Sequence, residues 1–204
     1  MSQQLPDGFG YLNDPRLIYE IAYAGTNNFV GRKIAGYNKP VCIASNSVIA
    51  AIINVQDELD DLKAGLVLKI FDAYRPQTAV NDFLAWIKDP QDLTMKAEYY
   101  PKLNKQDLLD QGYLLAKSRH STGSAIDLTL TTAGKELEMG TIFDFFDETS
   151  HTAAMQIPPQ AIINRKMLKI VMEKHGFKNY ANEWWHYNIV NEPFPDTYFD
   201  FPIE

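Results

Sequence analysis

The sequence is poor in cysteine and in long apolar runs. Cys42 is the single cysteine among 204 residues, so the chain cannot form an internal disulfide or a cysteine-rich zinc site. This low cysteine content is compatible with a reducing compartment. No stretch approaches the roughly 20 apolar residues of a membrane-spanning helix. The first 30 residues carry several charges in place of the apolar core of a signal peptide. We therefore expect a cytoplasmic protein, or a periplasmic one if a leader has been removed.

Clusters of lysine and arginine are also missing. The formal net charge is −7, and phosphate binding needs a basic face, so we expect no nucleic-acid partner. Without a membrane span or a basic surface, we expect no membrane partner either. There is no internal repeat or low-complexity tract. A length of 204 residues predicts a single domain over 1–204, with about the first 20 residues as a less diagnostic extension.

The apolar spacing predicts an α+β domain. Helices are predicted over 47–64, 77–88, 106–117 and 159–175, and strands over 66–71, 124–130 and 185–190. In the last helix the residues expected to face the core are Ile162, Ile163, Leu168, Ile170 and Val171. Because helices and strands do not alternate regularly, we predict a mostly antiparallel sheet with flanking helices.

His120 and Asp127 lie close together in the sequence around Gly123. The glycine interrupts any helix, so we expect a loop that carries His120 to fold back over the strand that presents Asp127. The alternation of that strand places Ile126 and Leu128 on one face and Asp127 on the other. An Asp on the polar face of a strand is ordinary, and this segment alone indicates little.

Glu183 and His186 combine a carboxylate and an imidazole three residues apart. On a regular strand they would face opposite sides, so both reach one metal only if Glu183 precedes the strand or a bulge intervenes. The alternative is a buried aromatic strand with a hydrogen-bonded histidine. We interpret His175, at a helix C-terminus, as structural, and His151 as a residue of a polar loop.

Arg75 lies at the end of the predicted strand 66–71, next to Pro76. Such an anchored cation beside a metal could stabilise the oxyanion that forms when water attacks a carbonyl. An arginine that merely pairs with a carboxylate at a strand end is an equally good interpretation.

Together these segments resemble the D-alanyl-D-alanine dipeptidases of the vancomycin-resistance type (VanX-like), within the wider family of zinc D,D-peptidases. The likeness covers the chain from about Tyr23 onward. The family motif Ser-x-His-x6-Asp matches Ser118 to Asp127, and the motif Glu-x-x-His matches Glu183 to His186. The arginine that ends a strand in the family matches Arg75. Further likeness lies in 140–148 and 198–202.

The resemblance implies hydrolysis of D-Ala-D-Ala with one Zn²⁺ per chain, at a site on the sheet that keeps one position for water. The implied metal ligands are His120, Asp127 and His186. Glu183 would act as general base and Arg75 would stabilise the oxyanion. The implied substrate-binding residues are Tyr23 and Asp144 at the ammonium group, Ser118 beside the substrate, and Asp72, which would orient Arg75 or a ligand.

A closed pocket would suit a dipeptide, and we expect its walls to include Phe143, Phe145, Trp184 and Trp185, with the alternative that one or both tryptophans belong to the core. The alternatives are a D,D- or L,D-carboxypeptidase that acts on longer peptides, a zinc-stabilised binding module without catalysis, and a domain without metal. The expected partner is a small dipeptide, and a homo-oligomer stays open. The sequence does not separate glycopeptide resistance from D-alanine recovery, or say whether Arg119 faces the pocket.

Overall fold

The fold, taken from a computed structural model, is described for residues 4–204. The helices are α1 (Asn46–Asp61), α2 (Gln77–Ile87), α3 (Lys96–Tyr99), α4 (Lys105–Asp110) and α5 (Pro159–Lys174). The strands are β1 (Phe9–Tyr11), β2 (Ile18–Tyr19), β3 (Ile43–Ser45), β4 (Leu66–Asp72), β5 (Ala125–Thr132), β6 (Lys135–Glu136), β7 (Phe177–Asn179) and β8 (His186–Ile189). The first three residues of the predicted N-terminal extension lie outside the described range.

The main sheet has six strands. Its order is β2-β4-β5-β8-β7, with β6 paired to β5. All pairs in it are antiparallel except β2 with β4, and β1 and β3 form a separate antiparallel pair. The predicted α+β class with a mostly antiparallel sheet is therefore confirmed.

Strand β5 occupies the middle of the sheet and brings three polar side chains together. Asp127 is the register partner of Asp72 on β4 and of His186 on β8. The pairing of β4 with β5 shifts between Ile70 and Asp72, which ends the regular ladder just before Arg75. One end of the sheet thus presents carboxylates, an imidazole and a guanidinium side by side.

Helix α4 is shorter than predicted. The apolar pattern indicated a helix over 106–117, but α4 ends at Asp110 and Gly112 adopts a positive φ of 78°. A residue in this left-handed conformation ends a helix. The chain from Gln111 to Arg119 is consequently a loop.

The buried face of α5 differs from the predicted one. Ile163 and Ile170, expected in the core, are 58% and 57% exposed. The buried residues are Ala161, Asn164, Arg165, Leu168, Val171 and Met172. Leu168 and Val171 face the core as predicted. Asn164 and Arg165 can share this face because backbone carbonyls accept hydrogen bonds from their side chains, which an apolar pattern cannot reveal.

Two residues away from the site also have clear structural surroundings. Cys42 is buried in the core. His175 follows the end of α5, and its Nε2 lies 2.7 Å from the Glu58 carboxylate, which is consistent with a structural role.

Among residues 4–204, no helix is both long and apolar enough to cross a membrane.

Candidate active site

The loop before β5 delivers His120 to the sheet, as predicted. Gly123 makes this possible, since its φ is +72° and a Cβ there would lie 2.4 Å from the ring of Phe9. His120 is buried. Its Nδ1 donates to the carbonyl of Ala73 at 2.6 Å, so its Nε2 keeps a free lone pair in the neutral ring.

Three acceptor atoms converge on one point between β5, β8 and this loop. His120 Nε2 lies 3.2 Å from His186 Nδ1 and 3.2 Å from Asp127 Oδ2. His186 Nδ1 lies 2.9 Å from Asp127 Oδ1, while its Nε2 contacts Asn188 Oδ1 at 3.1 Å. Because an amide oxygen only accepts, His186 Nε2 donates and Nδ1 faces the cluster with its lone pair.

This cluster has the dimensions of a metal site. Zinc bonds of about 2.0 Å in a tetrahedron separate the ligand atoms by about 3.3 Å, close to the three distances above. His120, Asp127 and His186 are also the only group of three or more His, Cys, Asp or Glu side chains in residues 4–204 whose ligand atoms all lie within 4.8 Å of one another. Two neutral imidazoles and a carboxylate suit Zn²⁺ and leave a fourth position for water.

The electrostatics of the cluster favour a bound cation. Burial lowers the pKa of His120 and so favours its neutral form. Burial alone would raise the pKa of Asp127, but His120 and His186 hold it below its usual range. For His186 the carboxylate of Asp127, which would accept a hydrogen bond from the protonated ring, outweighs burial and raises the pKa. The three groups therefore attract a positive charge, which a proton or a metal ion can supply.

Glu183 lies in the turn before β8, and this is one of the two geometries that the spacing required. The amide of His186 donates to the Glu183 carbonyl at 3.3 Å, which turns the chain so that both side chains reach the cluster. The Glu183 carboxylate comes within 3.8 Å of His186 Nδ1. Burial raises the pKa of Glu183 to about 7, although His186 acts in the opposite direction. A carboxyl group with such a pKa can take and return a proton near neutrality.

Arg75 is buried just beyond β4 and is held rigidly. Its Nε donates to Asp72 at 2.8 Å and its Nη2 lies 3.4 Å from Asp127. The guanidinium carbon lies 4.8 Å from the ring centroid of Tyr23 and 5.4 Å from that of Phe83. The arginine is thus paired to carboxylates, and it also lines the cavity described below.

Asp72 lies behind Arg75 and does not line that cavity. Its second oxygen accepts a hydrogen bond of 2.7 Å from Tyr37. Its position fits the orienting role predicted for it and gives it no direct path to a substrate.

Asp144 has an unusual backbone and an unusual environment. Its φ of 59° lies in the left-handed region, which costs free energy for a residue other than glycine and often marks a functional site. Its carboxylate is buried and accepts a hydrogen bond of 2.8 Å from Tyr23. Burial raises the pKa of Asp144 well above its usual value, and the charge of Asp127 raises it further.

A cavity of about 350 Å³ joins these groups. The predicted site residues that line it are Tyr23, Arg75, Ser118, His120, Asp127, Asp144, Glu183 and His186. The predicted walls of Phe143 and Phe145 are not found, since neither residue lines the cavity. For Trp184 and Trp185 the structure agrees with the alternative that they belong to the core. Phe143 stacks on Phe71, and both indoles are fully buried in the core.

The actual apolar walls come from elements that the sequence did not single out. They include Val80, Phe83 and Leu84 of α2, Gly112 to Leu115 of the loop after α4, and Phe146. No local motif marks these residues, because they meet only through the tertiary fold. Arg119 lies at the edge of the same cavity and pairs with Glu192 at 3.2 Å.

The chain is similar in sequence to known peptidases. A family model described as D-ala-D-ala dipeptidase (Peptidase_M15) matches residues 14–204. The D-alanyl-D-alanine dipeptidase of Streptomyces coelicolor is 41% identical over 187 residues, which cover 91% of this chain and 92% of that protein. The enzyme of the same name from Enterococcus faecalis is 39% identical over 203 residues, which cover 98% and 100%.

Among solved structures, the vancomycin-resistance D,D-pentapeptidase VanY in complex with Zn(II) matches with a TM-score of 0.40 and 15% identity. The match covers 74% of each chain.

Proposed function

The chain belongs to the D-ala-D-ala dipeptidase family of M15 peptidases, and from this premise we propose that it hydrolyses D-Ala-D-Ala with one zinc ion at His120, Asp127 and His186. As a member it is a peptidase. The observation that carries the proposal is the convergence of three metal-ligand atoms in one cavity with a carboxyl group of raised pKa and a buried guanidinium.

Zinc at this site would supply a water of lowered pKa, about 7, and would polarise the scissile carbonyl. Glu183 is the residue that moves the proton. Its carboxylate borders the same cavity and comes within 3.8 Å of a ligand nitrogen. It accepts the proton of the attacking water and then donates it to the leaving amine. A pKa near 7 suits both steps.

Arg75 stabilises the oxyanion that develops on the substrate. Asp72 holds one edge of its guanidinium at 2.8 Å, and the ring of Tyr23 packs against its face. The guanidinium therefore loses little conformational entropy when the oxyanion forms, and burial strengthens the attraction between the two charges.

Asp144 and Tyr23 form the site for the substrate's ammonium group. Within residues 4–204 the Asp144 carboxylate makes no ion pair, and its hydrogen-bond partner is the neutral phenol of Tyr23. Burial raises its pKa despite the charge of Arg75, and a free N-terminus would supply a paired countercharge. A longer peptide has an uncharged amide at that position, so it would leave the carboxylate unpaired. This charge relationship favours a dipeptidase over a carboxypeptidase that trims longer peptides.

The test is release of D-alanine by the zinc-loaded protein from D-Ala-D-Ala, compared with a pentapeptide that ends in D-Ala-D-Ala. We expect hydrolysis of the dipeptide alone and loss of this activity after the metal is chelated. Preference for the pentapeptide would establish the carboxypeptidase alternative. Bound zinc with no hydrolysis of either substrate would favour the binding module.

A further inference from the structure

Arg165 of α5 is a buried charged residue outside the active site. Its side chain is 1% exposed, and within residues 4–204 it makes no ion pair with a carboxylate. Burying a guanidinium is costly unless its donors are satisfied. The residue therefore needs an explanation beyond filling the core, which an apolar side chain would do at lower cost.

The partners of Arg165 are backbone carbonyls at the two ends of one segment, 139–151, which we name the roof segment. Its Nε donates to Met139 at 2.6 Å. Its Nη1 donates to Thr149 at 2.9 Å and to His151 at 2.8 Å. The planar guanidinium thus binds both ends of the segment to α5 through several N–H groups, which the single ammonium of a lysine cannot do with the same geometry.

The roof segment also contacts the chain around Glu183. The indole nitrogen of Trp184 donates to Thr141 Oγ1 at 2.9 Å, and the backbone amide of Trp184 donates to the Ser150 carbonyl at 3.1 Å. Arg165 Nη2 reaches the same Thr141 hydroxyl at 3.5 Å. The segment is therefore fixed against α5 on one side and against the neighbour of Glu183 on the other.

The middle of the roof segment carries Asp144 in its left-handed conformation. Asp adopts this conformation more readily than most residues other than glycine, but it still costs free energy, so contacts that fix the two ends of the segment help to hold it. We propose that Arg165 is a positioning residue, which closes the roof segment so that Asp144 faces the substrate's ammonium group. This inference rests on the proposed function, and it assigns Arg165 no contact with the substrate.

A double-mutant cycle between Arg165 and Asp144 tests this role. The variants are Arg165→Met, Asp144→Asn and the double variant, and Lys166→Met is the control because it removes an exposed cation from the adjacent position of α5. Each is measured for kcat and KM with D-Ala-D-Ala, for zinc content and for its thermal unfolding midpoint. If Arg165→Met does not fold, Arg165→Lys replaces it, since it keeps the charge and loses the fork.

We expect Arg165→Met to lower kcat/KM by roughly 10- to 100-fold, the scale of a small misplacement in a site, chiefly through a higher KM and with zinc still bound. The double variant should lose no more than Asp144→Asn alone, since both changes remove the same contact. Independent, multiplicative losses in the active enzyme would overturn this inference and leave the proposed function intact. A zinc-loaded wild type that does not cleave D-Ala-D-Ala would overturn both.

Discussion

Asp127 and His186 are direct register partners on the neighbouring strands β5 and β8, and the carboxylate of one lies 2.9 Å from Nδ1 of the other. Backbone hydrogen bonds of the sheet thus hold two of the three proposed zinc ligands in place. Because a slip of one residue would turn a side chain to the opposite face, the sheet register itself preserves the site. His120 completes the set from a loop.

Loss of one ligand should remove the metal. We expect His120→Ala to bind zinc at least ~100-fold more weakly and to lose activity in parallel. This loss of affinity is larger than the loss seen when only a residue that orients a ligand is removed. The control is His175→Ala, which removes an imidazole paired with Glu58 outside the site. Metal analysis after dialysis gives the affinity, and a His120→Ala protein that holds zinc normally would remove this residue from the ligand set.

Zinc should also stabilise the wild-type fold, because an ion that binds only the native state adds about 2.7 kcal/mol at a hundred times its Kd. We expect the thermal unfolding midpoint to rise with zinc for the wild type and for His175→Ala. An equal rise for His120→Ala would mean that zinc stabilises the protein at another site.

Replacement of Glu183 should separate metal binding from catalysis. Glu183→Gln keeps the size of the side chain but cannot accept a proton, so we expect full zinc content and a loss of at least ~10²-fold in kcat. Glu136→Gln alters an exposed carboxylate that pairs with Lys69 and should keep normal turnover. Wild-type kcat in Glu183→Gln would mean that another group is the base.

Arg75 should contribute mainly to the transition state. Lysine keeps the charge but cannot bind Asp72 and a developing oxyanion with the same planar fork. We expect Arg75→Lys to lower kcat by about 10²- to 10³-fold and to change KM much less. Arg32→Lys, at an exposed pair with Asp82, serves as the control. A change confined to KM would instead indicate that Arg75 binds the ground-state substrate.

Gly123 should be essential for the turn that delivers His120. An alanine there combines a φ of +72° with a Cβ placed 2.4 Å from the Phe9 ring, and crowding of this kind costs about 1–3 kcal/mol. Gly134 offers a matched control, since its φ is +75° but no atom lies within 4 Å of an added Cβ. Chemical denaturation should show a larger loss for Gly123→Ala, and equal losses would attribute the effect to φ alone.

The sequence predicted the sheet class and brought the cluster residues together, for reasons visible in particular elements. The alternation in 124–130 placed Asp127 correctly, and the step of three between Glu183 and His186 required a turn that the structure contains. The catalytic and binding roles stay predictions.

The cavity walls could not be predicted because the apolar pattern after Asp110 resembles a helix, whereas Gly112 makes it a loop. The buried face of α5 depends on carbonyl partners of Arg165 from distant residues.

We propose above that Asp144 pairs with a free ammonium group beside the scissile bond. The most direct measurement compares release of D-alanine from D-Ala-D-Ala and from its N-acetylated form, for zinc-loaded wild type and Asp144→Asn. Asparagine tolerates the left-handed backbone and keeps the shape of the side chain. We predict that the wild type cleaves only the free dipeptide and that Asp144→Asn loses this activity through a higher KM. Equal or faster cleavage of the acetylated substrate by the wild type would mean that Asp144 does not pair with a free ammonium group.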